Sequence, residues 1–166
     1  YLVGDIVKIT CVSPYRIKVV GRVSSYINIV GEELMVNQAE SAVSKALLDF
    51  NLSLKEFTAA PRFSKEGIPV GHSWAIEVSD NTMISDLSVE GVSKALDLEL
   101  KKSNSDYTVK RESDLILGKP EVIFVKEGSF EVWLKNKNKL GGQHKIPRLS
   151  NSRGILEEVL RVIPNR

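Results

Sequence analysis

Three residues of this chain have the chemistry to handle a nucleotide and a carboxylate, and they lie far apart: Asp5, Arg22 and Lys145. Asp5 follows Gly4 at the mouth of a strand-like run, where a short carboxylate can accept two hydrogen bonds from a diol such as a ribose. A Gly-Asp dipeptide is a weak signal, and a turn carboxylate is its commoner use. Arg22, after Gly21, carries a planar, permanently charged fork that can bind a phosphate or stack on a base; an arginine that merely closes a strand has the same signature. Lys145 lies between Gly141-Gly142 and Pro147, and its ammonium is a compact charge suited to a phosphate oxygen or to developing negative charge. Most loop lysines are simply solvated. No single stretch holds a complete set of reacting groups, so the three residues imply a site assembled from separate parts.

Other chemistries find less support. His72 and His144 are far apart, and with Cys11 as the one cysteine there is no metal-ligand spacing, so no transition metal is expected. Ser24-Ser25 and Ser150 to Ser152 have no partnered His and Asp in a recognisable arrangement, and they read as hinge and helix-cap serines. Neither a P-loop nor a GxGxxG occurs. Trp74, Phe130 and Trp133 fall on core-facing positions, which suits packing better than base stacking.

The elements that must position these groups can be read from periodicity. Asp5 to Val12 and Arg16 to Val20 are rich in β-branched residues around a Ser13-Pro14 turn, a hairpin signature. Left alone, such a ribbon would expose both faces, so it belongs with a preceding domain. Gly21 to Ser25 breaks the pattern, and a β-like run from Tyr26 to Val30 ends at Gly31. Residues 1–22 are therefore expected to form the edge of a preceding domain, residues 23–26 a hinge containing Ser24 and Ser25, and residues 27–166 a mobile α+β domain. Asn37 and Glu40 have capping-box spacing, and Ala39, Ala42, Val43, Ala46, Leu47 and Phe50 share one face of a helix over 37–50. Strands are predicted over Phe57 to Phe63 and Trp74 to Val78, with residues 67–71 as an irregular loop. A helix over 88–102 turns Val89, Val92, Leu96 and Leu100 inward and Lys94, Asp97, Lys101 and Lys102 outward, with Glu90 and Lys94 as an i,i+4 pair. Tyr107 to Lys110 and Val122 to Val125 read as strands, Ser129 to Lys137 as a helix and Asn136 to Gly142 as an exposed loop. A closing helix runs from Ser152 to Val162 and stops before Pro164. The fold class is α+β: helices packed on an antiparallel or mixed sheet, preceded by a hairpin.

Bulk properties agree with this class. At 166 residues, 23 basic side chains against 21 acidic ones leave a net charge of +2, which exerts no general pull on nucleic acid or membrane. One cysteine excludes a disulfide framework and favours a reducing, cytoplasmic setting. The chain has no apolar run of about 20 residues to span a membrane. It begins at Tyr1, inside strand-like sequence, as a piece of a longer protein would.

Taken in order, Tyr1-Leu2-Val3-Gly4-Asp5-Ile6-Val7-Lys8, Gly21 to Leu34 with its Gly-Glu-Glu-Leu-Met continuation, and Gly141-Gly142-Gln143-His144-Lys145-Ile146-Pro147-Arg148-Leu149 resemble the C-terminal portion of adenylate-forming enzymes. More narrowly, the chain resembles the auxin-responsive acyl-acid amido synthetase family, in its bacterial form, over nearly its whole length. The resemblance implies a large N-terminal domain followed by a small α+β domain that swivels about a hinge. It implies that Asp5 holds the ribose hydroxyls of AMP, that Arg22 supports the nucleotide from the hinge side, and that Lys145 enters the site during adenylation, bridging carboxylate and α-phosphate. ATP with Mg²⁺, a small carboxylic acid and an amino acid are the implied substrates and cofactors, with the chain's own N-terminal domain as partner and neither nucleic acid nor membrane involved. The family's Ser/Thr/Gly-rich phosphate loop and acyl pocket lie upstream of the part seen here, so the chain alone is expected to be inactive. Ser24 stands where many adenylating enzymes carry a charged hinge residue. An acyl-CoA ligase of the same superfamily shares the first step, and a non-catalytic regulatory or RNA-binding α+β module is the alternative of another class.

Overall fold

In the computed structural model the residues described are 5–22, 26–79, 89–112, 116–138 and 145–162. The chain opens with an antiparallel ribbon of β1 (Asp5–Val12) and β2 (Tyr15–Arg22). Short strands β3 (Tyr26–Ile27) and β4 (Leu34–Met35) then pair and lead into α1 (Val36–Leu48). The main sheet follows, with order β5 (Ser53–Phe63), β6 (Pro69–Ser79) and β7 (Glu121–Phe124). β5 and β6 form a long antiparallel hairpin, whereas β6 and β7 are parallel. A parallel pair needs a crossover, and α2 (Val89–Ser103) and α3 (Ser105–Arg111) supply it. The chain ends in α4 (Ser129–Asn136) and α5 (Gly154–Leu160). This is the α+β class expected, with a mixed sheet.

Helices cover both faces of the sheet, and this explains the nearly unbroken burial of β6. On one face Phe57, Ala59, Trp74, Ile76 and Val78 pack with Ala39, Val43, Ala46 and Leu47 of α1 and Val92, Leu96 and Leu100 of α2. On the other, Ala60 and Ala75 meet Phe130 and Trp133 of α4 and Leu156 and Val159 of α5. Alternate side chains of a strand point to opposite faces, so a doubly covered strand is buried on both sides, and the polar members of β6 are hydrogen-bonded there: His72 to Glu32, Ser73 to Glu121, and Glu77 to the N–H groups of Gly128 and Phe130. The three alanines of the α1 stripe let its backbone lie close to the sheet, and the Phe57 and Trp74 rings stack at 5.7 Å.

Several local expectations are corrected. Tyr107 to Lys110 is helical, part of α3, because the Asn104 side chain accepts from the Tyr107 N–H at 2.7 Å and caps the turn. Asp97, expected outside, is buried: it accepts from Tyr107 Oη at 2.8 Å and from Arg111 Nε at 2.6 Å, while Lys101 Nζ lies 2.8 Å away. Tyr107 thus satisfies a carboxylate in the core, which overrides the strand preference of Thr108 and Val109. The capping box of α1 sits two residues earlier than Asn37 and Glu40: the Gln38 side chain accepts from the Met35 N–H at 3.0 Å. β6 begins at Pro69 inside the expected loop, opposite Phe63; proline is tolerated there because a strand's first residue need not donate to the ladder. The β-like run from Tyr26 is a strand for only two residues, and α5 begins at Gly154 instead of Ser152.

Candidate functional site

Asp5 and Arg22 are register partners at the open end of the ribbon, so the hairpin pairs these two positions across adjacent strands. Ser24 and Ser25 lie outside the described residues. Lys145 belongs elsewhere, on a segment laid along the outer edge of β5.

That segment is held by the backbone of Ala59. Its N–H donates to the Arg148 carbonyl at 2.8 Å and its carbonyl accepts from the Ser150 N–H at 3.1 Å, forming a parallel bridge between Ala59 and Leu149. One residue away the Thr58 hydroxyl donates to the Pro147 carbonyl at 2.8 Å. Leu149 is buried in the core beneath the strip. Asn151 accepts from the Asn28 N–H at 2.9 Å and donates to the Tyr26 carbonyl at 3.1 Å, linking the end of the strip to β3. In effect residues 147–150 add a fourth, irregular strand to the sheet, and Lys145 stands at its N-terminal end.

The guanidinium of Arg148 closes the arrangement. It lies 5.5 Å over the ring of Phe57, donates from Nε to Glu56 of β5 at 2.8 Å, and bonds through Nη1 to Glu40 of α1. Burial alone would lower its pKa, but the bonds to Glu56 and Glu40 outweigh that and raise it, so the clamp stays charged. Glu40, which the sequence suggested as a helix-cap partner, has this role instead. By contrast the Lys145 side chain is exposed and has no hydrogen-bond or ion-pair partner among the described residues. It borders a cleft of about 310 Å³ between α4 and α5, whose acid, Glu158, is already bonded to Trp133 Nε1 and Lys137 Nζ. A pinned backbone carrying an exposed ammonium can deliver positive charge to an incoming anion.

A second buried cluster fixes the segment after the ribbon. Glu32 accepts from the Val30 N–H at 2.9 Å and the Ile29 N–H at 3.1 Å, and its Oε1 lies 2.9 Å from His72 Nε2. Burial pushes the Glu32 carboxyl up, but the His72 bond and the backbone N–H of Val30 more than offset it, leaving a lowered pKa. Asn104 ties in by donating to the Glu32 carbonyl at 2.8 Å. Neither Glu32 nor Arg148 was singled out from sequence as a functional side chain; both lay within the motifs quoted for the family resemblance.

Residues 37–154 match the family described as the GH3 family C-terminal domain, well over half of the chain. The chain belongs to the GH3 family. The match to the GH3 C-terminal domain runs from α1 to the first residue of α5 and so contains Lys145 and Arg148 but neither Asp5 nor Arg22. Solved structures give the same fold: "GH3.15 acyl acid amido synthetase" aligns with a TM-score of 0.72 at 20% identity over 95% of this chain. "AtGH3.15 acyl acid amido synthetase in complex with 2,4-DB" aligns with a TM-score of 0.68, again at 20% identity over 95% of this chain. The chain spans about 30% of the length of those structures. No curated protein matches it.

Proposed function

We propose that this GH3 chain is the mobile C-terminal part of an ATP-dependent acyl-acid amido synthetase. The observation that carries the reading is Lys145: inside the span shared with the family, an exposed ammonium with no partner among the described residues stands at the end of a backbone strip pinned to the sheet. In the first step a carboxylate oxygen attacks the α-phosphorus of ATP, the bond to pyrophosphate breaks, and pyrophosphate leaves with the electron pair. Two anions must approach one another, and Lys145 offsets that repulsion most strongly where negative charge builds up in the transition state. In the second step an amino acid's nitrogen attacks the acyl carbon, AMP departs, and the nitrogen loses a proton. Rotation of the domain between the steps withdraws Lys145 and admits the amine.

Asp5 and Arg22 are assigned to the nucleotide, the first at the ribose hydroxyls and the second from the hinge side. Their pairing across the ribbon supports a joint role. We assign residues 1–22 to the edge of the preceding adenylation domain, 23–26 to the hinge and 27–166 to the moving domain. The ribbon's apolar side supports that division: Val7 lies opposite Val19 and Ile9 opposite Ile17, and all four are exposed. The Mg²⁺ accompanying ATP is assigned, with most of the nucleotide site, to the larger N-terminal body that the family resemblance implies. A free Cys11 accords with a reducing cytoplasm.

The test uses the full-length protein. Carboxylate-dependent pyrophosphate exchange is expected, followed by amide formation with an amino acid. Lys145→Ala should lower the exchange rate by at least about 100-fold, the scale for removing one group that stabilises transition-state charge, without lowering the melting temperature. Thioester formation with coenzyme A and no amide would favour the acyl-CoA ligase. No exchange with any of a broad panel of acids would exclude both enzymes.

A further inference from the structure

The geometry points to Arg148 as the positioning residue for Lys145: clamped between Glu40 and Glu56, it fixes the strip from which the ammonium is presented during adenylation. This inference rests on the reading of Lys145 given above.

Two neighbouring residues of one strip are held in three ways. The Pro147 carbonyl accepts from Thr58, the Arg148 carbonyl accepts from Ala59, and the Arg148 side chain spans from β5 to α1 across the Phe57 ring. Of these three contacts the last joins two separate elements, so it ties the strip's height and roll to the helical layer. A planar fork with donors on two edges suits that task, and a lysine, as a point charge, could not face both carboxylates in fixed geometry. Three residues extend at most about 10 Å, so the Lys145 backbone cannot stray further than that from the clamp. Lys145 itself has no partner among the described residues, which leaves its aim to the strip beneath it. A displacement of about 1 Å in a reacting group can lower a rate by about 100-fold.

The experiment compares Arg148→Ala, Arg148→Lys, Glu56→Gln, Lys145→Ala and the double variant Lys145→Ala/Arg148→Ala in the full-length protein. It measures carboxylate-dependent pyrophosphate exchange, the KM for ATP, and amide formation from supplied acyl-adenylate. For Arg148→Ala the expected result is a fall of about 10- to 100-fold in the exchange kcat, with the KM for ATP and amide formation from acyl-adenylate each within about 3-fold of wild type. Arg148→Lys should recover only part of the loss. The double variant should be no slower than Lys145→Ala alone, since groups that act as a unit are not additive. If Arg148→Ala does not fold, Arg148→Lys and Glu56→Gln provide the same comparison at lower perturbation. Losses that multiply in the double variant, or that fall equally on both half-reactions, would overturn the inference and leave Arg148 as a general stabiliser. Wild-type exchange in Arg148→Ala beside a strongly impaired Lys145→Ala would also overturn it, while sparing the role of Lys145. Unimpaired exchange in Lys145→Ala would remove both.

Discussion

At the scale of single residues, two of the buried acids, Glu32 and Asp97, show how this fold uses charge. Each is surrounded by donors: His72 and two backbone N–H groups for Glu32, and Arg111, Lys101 and Tyr107 for Asp97. Burial pushes Asp97 up too, and the bonds from Arg111 and Lys101 outweigh it, so both carboxyls are held below their ordinary values. A carboxyl whose folded-state pKa is depressed adds stability at pH above its unfolded value, and that contribution disappears as pH falls through the folded value. The protein should therefore lose melting temperature as pH drops below about 4.5, near the ordinary carboxylate range. Glu32→Gln should flatten that acid dependence, which melts between pH 7 and pH 3 would show. Removing one partner of a buried pair strands the other, so His72→Ala should cost about 3 kcal/mol in denaturant unfolding at pH 7. An unchanged midpoint would show that the backbone donors alone satisfy Glu32.

At the scale of elements, the helices with clean apolar stripes were legible in the sequence. α1, α2 and α4 follow the 3.6 period, and the i,i+4 pair of Glu90 and Lys94 forms at 3.6 Å. The opening ribbon was also readable, since Ser13-Pro14 sits between two β-branched runs. What the pattern could not show was long-range. Tyr107, Thr108 and Val109 favour a strand locally, and only Asn104 at the cap and Asp97 from the preceding helix make them helical. Asn104→Ala should therefore cost about 1 kcal/mol for the lost cap, with a further loss because Asn104 also holds the Glu32 carbonyl. Chemical denaturation would measure it, and a change under 0.5 kcal/mol, about the scatter of neutral surface substitutions, would refute the role. As for the site, Lys145 stood out in the sequence only as a lysine in a glycine-bearing loop and took a role from the resemblance, while Arg148 was not singled out. The strip has no periodicity of its own, and Glu40 and Glu56, which hold it, are more than ninety residues away.

At the scale of the whole molecule, the ribbon and the sandwich differ in how they are covered. The sandwich buries apolar side chains on both faces of its sheet, whereas Val7, Ile9, Ile17 and Val19 form an exposed stripe with Lys8 opposite Lys18 on the alternate side. Like charges directly opposite are unfavourable, and a two-stranded ribbon is marginal in water by itself. The isolated chain should therefore self-associate through the stripe. Replacing Ile9 and Ile17 together by Lys should shift its elution to the monomer while moving the melting temperature by no more than about 2 °C, as exposed substitutions do. Unchanged elution would locate any association elsewhere.

The strip along β5 also bears on the order of assembly. Its contacts close loops of 89 and 92 residues, whereas the β5–β6 hairpin forms between neighbours in sequence. Contacts between residues far apart in the chain must wait until the intervening chain is organised. On this topology the strip bearing Lys145 is expected to dock late in folding, after the hairpin and α1 have created the edge that receives it. A molecule that stalls earlier would have most of its secondary structure but no docked strip to carry Lys145. On the proposed role of Lys145, chemical competence would then certify that the domain is finished.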